Sequence, residues 1–209
     1  MTLIPILPSG SGDIVVDVAS GNNLSVNTLA TNAGWDGQSN IRLRVNGDLG
    51  GPLTQDVDGV EVRIIIASGV TITGAGGDGA DQNTTLASPV PEPQTISGDD
   101  GTPGIVVNFA CLIENEGTIA GGGNGGDVPV RYTDGTGGSG GGGGGAGVPF
   151  GEGGTNYLSA KVGADGTATT GGAGGGTGTD GGDLGDQPAI TGYSNVTYSG
   201  GGTLIGGTA

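Results

Sequence analysis

Histidine is absent from this 209-residue chain and cysteine occurs once, which leaves two large classes of chemistry without residues. Without histidine there is no Ser-His-Asp or Cys-His nucleophile arrangement and no imidazole metal ligand. A single cysteine permits no internal disulfide, which excludes a disulfide-stapled secreted scaffold. Cys111 sits in the apolar run IVVNFACLI, which predicts a buried small hydrophobe rather than a reactive thiol. Basic residues number only five (Arg42, Arg44, Arg63, Arg131 and Lys161) against 21 acidic ones, for a net charge of −16. So acidic a chain has no surface for a nucleic-acid phosphate backbone, and its charge resists non-specific association. No apolar stretch approaches the length of a membrane span. No basic segment followed by a long apolar one opens the chain, which predicts synthesis in a cytoplasm without a secretion signal. Aromatic residues are scarce as well: two Phe, four Tyr and one Trp.

What the chain has instead is glycine, 53 residues of it, with 15 before position 101 and 38 from there onward. Large side chains buried at about 25 cal/mol per Å² cannot stabilise such a half, and each ordered glycine loses more backbone entropy than any other residue. The placement suggests what compensates. Gly123 and Gly126 lie three apart, as do Gly135, Gly138, Gly141, Gly144 and Gly147, and again Gly172, Gly175, Gly178 and Gly181. A period of three fits chains wound as polyproline-II-type helices, which have three residues per turn and no internal hydrogen bonds. Such chains are stable only when neighbours satisfy their backbone groups, and glycine lets the backbones come close enough. The alternative is a flexible linker; the apolar and aromatic inserts between the runs argue against it.

Elsewhere the pattern is β. DIVVDV (13–18), NIRLRVNG (40–47), VEVRIIIASGVTITG (60–74) and IVVNFACLIENEGTIAG (105–121) read as strands, with Ile41, Leu43 and Val45 on one face and Arg42 and Arg44 on the other. The one credible helix lies in LSVNTLATNAGW, with Asn23 as N-cap and Gly34 as stop, and Trp35 after it reads as a core anchor. Residues 75–104 read as a long polar loop. A weak repeat links IIIASGVTITG, LIENEGTIAG and NVTYSGGGTLIGG, and suggests stacked β layers. A glycine-rich insertion, roughly 122–187, separates its last two copies. The expected fold is therefore mainly β: a solenoid- or prism-like N-terminal part plus a glycine-rich bundle of polyglycine-II type, with one short helix at most. Three regions follow: an arm at 1–20, a β-rich domain at 21–121, and a glycine-rich region with a final strand at 122–209. The arm's Leu3, Ile4, Ile6 and Leu7, punctuated by Pro5 and Pro8, suit an extended segment docked on another subunit.

Catalytic and metal motifs are weak. Acidic pairs such as Asp99-Asp100 stand among Gly and Thr, where Asp serves turns. GGDGADQN (76–83) approaches a calcium nonapeptide but has Asn83 where a large apolar residue is needed, and it is not tandem. Scattered Asp leaves calcium binding open; no catalytic residue, metal ligand or cofactor is assigned. The GxGxxG-like spacings carry no nucleotide signal. The inserts DVPVRYTD (127–134) and VPFGEGGTNYLSAK (148–161) do stand out, because they hold Arg131, Tyr132, Phe150, Tyr157 and Lys161, residue types that carry energy at recognition surfaces. The same side chains could instead fill gaps beside the glycine layers.

NLSVNTLATNAGWDG (23–37), EVRIIIASGVTITG (61–74), LIENEGTIAGGGNGGD (112–127) and ITGYSNVTYSGGGTLIGGTA (190–209) together resemble glycine-rich tail-fibre and tail-tip proteins of tailed bacteriophages. Tyr198 stands where that pattern has an aromatic residue, often Trp. The resemblance implies a virion protein of the phage tail, made in the host cytoplasm. It further implies that rigid glycine helices present loops to a host-surface glycan or outer-membrane protein, without catalytic residues. The arm at 1–20, which lies outside the resemblance, would contact other tail subunits, and a homo-oligomer is expected, a trimer being common in fibres. A purely structural tail or capsid cap without receptor contact is the competing reading, and a fibre-borne glycan hydrolase is a third.

Overall fold

The computed structural model describes residues 12–82, 94–130, 140–155 and 162–209, with the backbone alone at 85–86 and 131–132. The protein is mainly β, and the order in which the chain builds its sheets explains the architecture. A first pass lays down β1 (Ile14–Val18), β2 (Gly21–Asn22) and the helix α1 (Val26–Asn32). A second lays down β3 (Ile41–Val45), β4 (Leu49–Gly50) and β5 (Leu53–Gln55). The third gives β6 (Val62–Ile66) and β7 (Thr71–Thr73), leaves through a glycine-rich excursion carrying β8 (Thr85–Leu86) and β9 (Thr95–Ile96), and returns as β10 (Ile105–Val107). The fourth gives β11 (Cys111–Asn115) and β12 (Thr118–Ala120). It leaves again through a longer excursion with β13 (Val128–Pro129) and β14 (Arg131–Tyr132), and returns as β15 (Ile190–Thr191). A 3₁₀ turn at Tyr193–Asn195 leads into β16 (Val196–Ser199) and β17 (Thr203–Ile205).

Corresponding strands of successive passes lie side by side. One sheet runs β1-β3-β6-β11-β16, a second β2-β4-β7-β12-β17 and a third β5-β10-β15, and every pairing within them is parallel. The weak sequence repeat is the cause: Thr71, Thr118 and Thr203 share a register position, as do Ile72, Ile119 and Leu204. Alternation sets the faces. Leu43, Ile64 and Ile113 are register partners across three neighbouring strands and are all buried, with Ile66, Ile72, Ile105 and Ile119 in the same core. On the outward face Arg42 pairs with Asp13 at 2.7 Å, Arg44 with Asp17 at 2.8 Å and Arg63 with Glu114 at 3.3 Å. These pairs are solvent-exposed and contribute about 1 kcal/mol at most.

Buried polar side chains fasten the corners. Gln55 donates through Nε2 to the Val57 carbonyl at 2.9 Å and that of Phe109 at 3.2 Å. Asn115 accepts from the Gly117 amide and donates to the Tyr198 hydroxyl, both at 2.9 Å. Trp35 is partly buried against the core, as expected of an anchor, and its Nε1 donates to the Ser39 carbonyl at 2.7 Å. Burial pushes the Cys111 thiol up to about 11, so the thiolate nucleophile is scarce at neutral pH. Alkylation by iodoacetamide at pH 8 is expected to be slow in the folded protein and to reach the free-thiol rate on denaturation. Fast labelling of the native chain would contradict this burial.

Several sequence expectations need correcting. The helix is capped by Ser25, not Asn23: its Oγ accepts from the Thr28 amide at 3.1 Å, and Asp56 accepts from the Ser25 hydroxyl and the Asn27 amide. Two otherwise unpaired amides of the first turn are thereby satisfied, while Asn23 takes a left-handed conformation at φ 51°. The single strand expected at 60–74 is two strands in different sheets, divided by a corner where Gly69 has φ 79°. Within 75–104, expected as a polar loop, residues 76–82 and 98–102 bond with the later glycine runs and with each other. Within 1–20, residues 14–18 are a sheet strand paired with β3, and 1–11 lie outside the described residues. Beyond the glycine region the chain supplies three strands, β15 to β17, that rejoin the sheets of the earlier passes.

Candidate recognition end of the glycine-rich part

The two excursions pack against each other, and residues 140–147 are their centre; 140–146 are all buried. Their amides donate in a repeating order: Gly142 to the carbonyl of Ala80, Gly143 to Thr179, Gly144 to Ala164, then Gly145 to Gly77, Ala146 to Gly182 and Gly147 to Thr167. Each neighbour is met again after three residues. Their carbonyls follow the same rule, accepting from Gly175, Gly154 and Gly126 and then from Gly172, Gly151 and Gly123. Six chain segments therefore surround the central one, three as acceptors and three as donors. The neighbours are close enough that a side chain has no room. A Cβ on Gly141, Gly142 or Gly143 would overlap the carbonyl of Gly154, Gly126 or Gly172 respectively. Each hydrogen bond contributes about 1 kcal/mol net, and the set offsets the entropy lost by ordering glycine.

Aspartates complete the outer layer. Asp78 accepts from the Glu152 amide at 2.7 Å, Asp165 from Gly153 at 2.9 Å, Asp180 from Gly174 at 2.8 Å and Asp183 from Gly171 at 2.9 Å. They bind amides at the bundle's surface, which is why acidic residues recur beside glycine. A groove of about 350 Å³ is lined by Asp100, Asp127, Asp180 and Asp186. Three of these carboxylates accept backbone amides: Asp127 from Gly98, Asp180 from Gly174 and Asp186 from Asn124. Among the described residues no group of three or more His, Cys, Asp or Glu is placed to hold a metal ion.

The central run and its neighbours have two unlike ends. At one, the chain passes into the β-sheets. At the other lie Gln82, Gln94, Pro129, Gly140 and Thr155, tied together by the Gln82 amide to the Thr155 carbonyl at 3.0 Å and the Val130 amide to that of Gln94 at 2.9 Å. The connections 83–93, 133–139 and 156–161 begin and end there. The backbone at Arg131–Tyr132 pairs in parallel with Thr85–Leu86, and Val128–Pro129 pairs antiparallel with Thr95–Ile96.

The five sequence-predicted contact residues separate on this frame. Arg131 and Tyr132 belong to the far end by their strand pairing. Tyr157 and Lys161 lie outside the described residues, between Thr155 and Val162. Phe150 lies apart from the Arg131–Tyr132 pairing. It follows Pro149, whose carbonyl accepts the Gly76 amide at 3.0 Å, and Val148, whose carbonyl accepts the Gly51 amide beside β4, so it sits where the glycine segments meet the sheets. From Phe150 the chain runs along the bundle to Thr155, through bonds of Gly151 to Gly145 and Gly154 to Gly142. Phe150 is 48% exposed at that junction. Gln82 went unnoticed in the sequence; a long polar side chain entering a glycine run from GGDGAD was the available signal.

A search of curated proteins and one of solved structures returned no match. Comparison with known families is decisive: the family described as Phage tail fibre adhesin Gp38 matches residues 13–208, nearly the whole chain. The protein is thus a virion tail-fibre component that binds a host receptor, and the chain belongs to the phage tail fibre adhesin Gp38 family.

Proposed function

We propose that this adhesin is a rigid presenter. Its three-sheet part is a parallel β-solenoid of prism-like section, its glycine segments form a polyglycine-II bundle, and the far end of that bundle meets the host. The observation that supports this most is the return of each hydrogen-bonding neighbour every third residue along 142–147, the period of a threefold extended helix. A bundle so bonded holds its end in one place relative to the sheets, which suits recognition residues carried on connections. Arg131, Tyr132, Tyr157 and Lys161 would contact the receptor, a cell-surface glycan or an outer-membrane protein. The cations would pair with anionic groups and the rings would stack on sugar or protein faces. The acidic remainder would confine binding to this end. The action is adhesion without catalysis.

Residues 1–12 would attach the chain to another tail subunit, and Phe150 falls outside the recognition set. All six neighbours of the central glycine run come from this same chain. The glycine packing thus needs no second copy and gives no ground of its own for a homotrimer. The test is adsorption of particles carrying Tyr132→Ala with Tyr157→Ala. Adsorption is expected to fall by about tenfold or more, as for loss of interface aromatics worth over 1 kcal/mol each, with incorporation into particles unchanged. Normal adsorption by fully assembled particles would leave the structural-cap reading in its place.

A further inference from the structure

We propose that Gln82 is the positioning residue of the recognition end, holding the roots of its connections in one arrangement. Among the described residues of the glycine-rich part it is the one buried polar side chain, 2% exposed. It makes bonds to three chain segments far from it in sequence. Nε2 donates to the Pro129 carbonyl at 2.6 Å, Oε1 accepts from the Gly140 amide at 3.3 Å, and the backbone amide donates to the Thr155 carbonyl at 3.0 Å. Pro129 ends one outgoing segment, Gly140 starts the central run and Thr155 ends another outgoing segment. One carboxamide supplies a donor and an acceptor in a single plane, so it can bridge a carbonyl on one segment and an amide on the next. Without this side chain a part-buried carbonyl and a buried amide lose this partner together.

This inference rests on the reading that the far end meets the host, and the experiment separates the two. Gln82→Met keeps the length of the side chain and removes both bonds. Gln55→Met makes the same change in the β-sheets, where Gln55 holds a corner far from the recognition end. Amide hydrogen exchange on the full chain and adsorption of assembled particles are measured for both. Gln82→Met is expected to speed exchange by about tenfold at Val128 and Val130, at 140–142 and at 153–155 together, to leave β6 and β11 protected, and to slow adsorption. Gln55→Met is expected to affect the sheets and leave adsorption unchanged. Faster exchange confined to residues next to Gln82, or no change, overturns the proposal. So does intact adsorption by Gln82→Met in a phage whose Tyr132→Ala, Tyr157→Ala variant does lose adsorption. If that double variant also adsorbs normally, the receptor reading fails and exchange alone decides the role of Gln82. Gln82→Glu, which keeps an acceptor for Gly140 but cannot donate as carboxylate to Pro129, serves if Gln82→Met does not fold.

Discussion

Gly143→Ala, the addition of one methyl group, is expected to destabilise the glycine-rich part by about 3 kcal/mol or more. The new Cβ would overlap the Gly172 carbonyl, which is backbone and cannot rotate aside. Moving that segment away costs more than the local contact. Gly172 itself donates to the Gly144 carbonyl at 2.8 Å, and Gly143 holds Thr179 at 3.0 Å and Gly126 at 2.7 Å. The loss therefore spreads to several neighbours of the central run. Gly12→Ala is the control: nothing lies within 4 Å of a Cβ there, so its effect should stay within about 0.5 kcal/mol. Thermal unfolding of the two variants checks this, with a fall in Tm of about 10 °C expected for Gly143→Ala alone. Equal melting of both would mean that the close backbone packing at 140–147 does not contribute to stability.

Ile64→Ala should cost about 3–4 kcal/mol through the sheets. Ile64 is fully buried in β6, the middle strand of its sheet, between its register partners Leu43 and Ile113. Those partners stand on the rigid backbones of β3 and β11 and cannot close the cavity. The adjacent residue gives the comparison, because Ile65 points to the outward face and is only partly covered. Its replacement by alanine should cost about 1 kcal/mol. Denaturant unfolding of the pair measures both, and equal costs would contradict the assignment of faces. The two core lesions should also differ in place. Gly143→Ala loosens the bundle with the sheets intact, whereas Ile64→Ala weakens the sheets to which both excursions are anchored.

Much of this was written locally. Period-two alternation in NIRLRVNG placed Leu43 inward and Arg42 outward before any neighbour was known, because strand side chains must alternate. The glycine runs marked where backbones would pack closely, since a residue without a side chain leaves room for a neighbouring chain. The absence of histidine and the surplus of acid removed whole function classes, and the motifs in order from 23 to 209 pointed to phage tail fibres. What local pattern could not convey was where segments distant in sequence come together. It took the corner at Gly69 to show that 60–74 serves two sheets, and the return of β15, β16 and β17 to join the chain's end to its beginning. Residues 75–82 looked like part of a polar loop because many of their partners, within 123–126, 142–145 and 149–155, are distant in the chain. For the same reason Gln82 went unnoticed. Sequence determined the character of each segment, since character follows from side-chain chemistry and backbone preference. Tertiary structure decided which ends meet, since that depends on hydrogen bonds between backbones whose sequences, being mostly glycine, do not distinguish one partner from another.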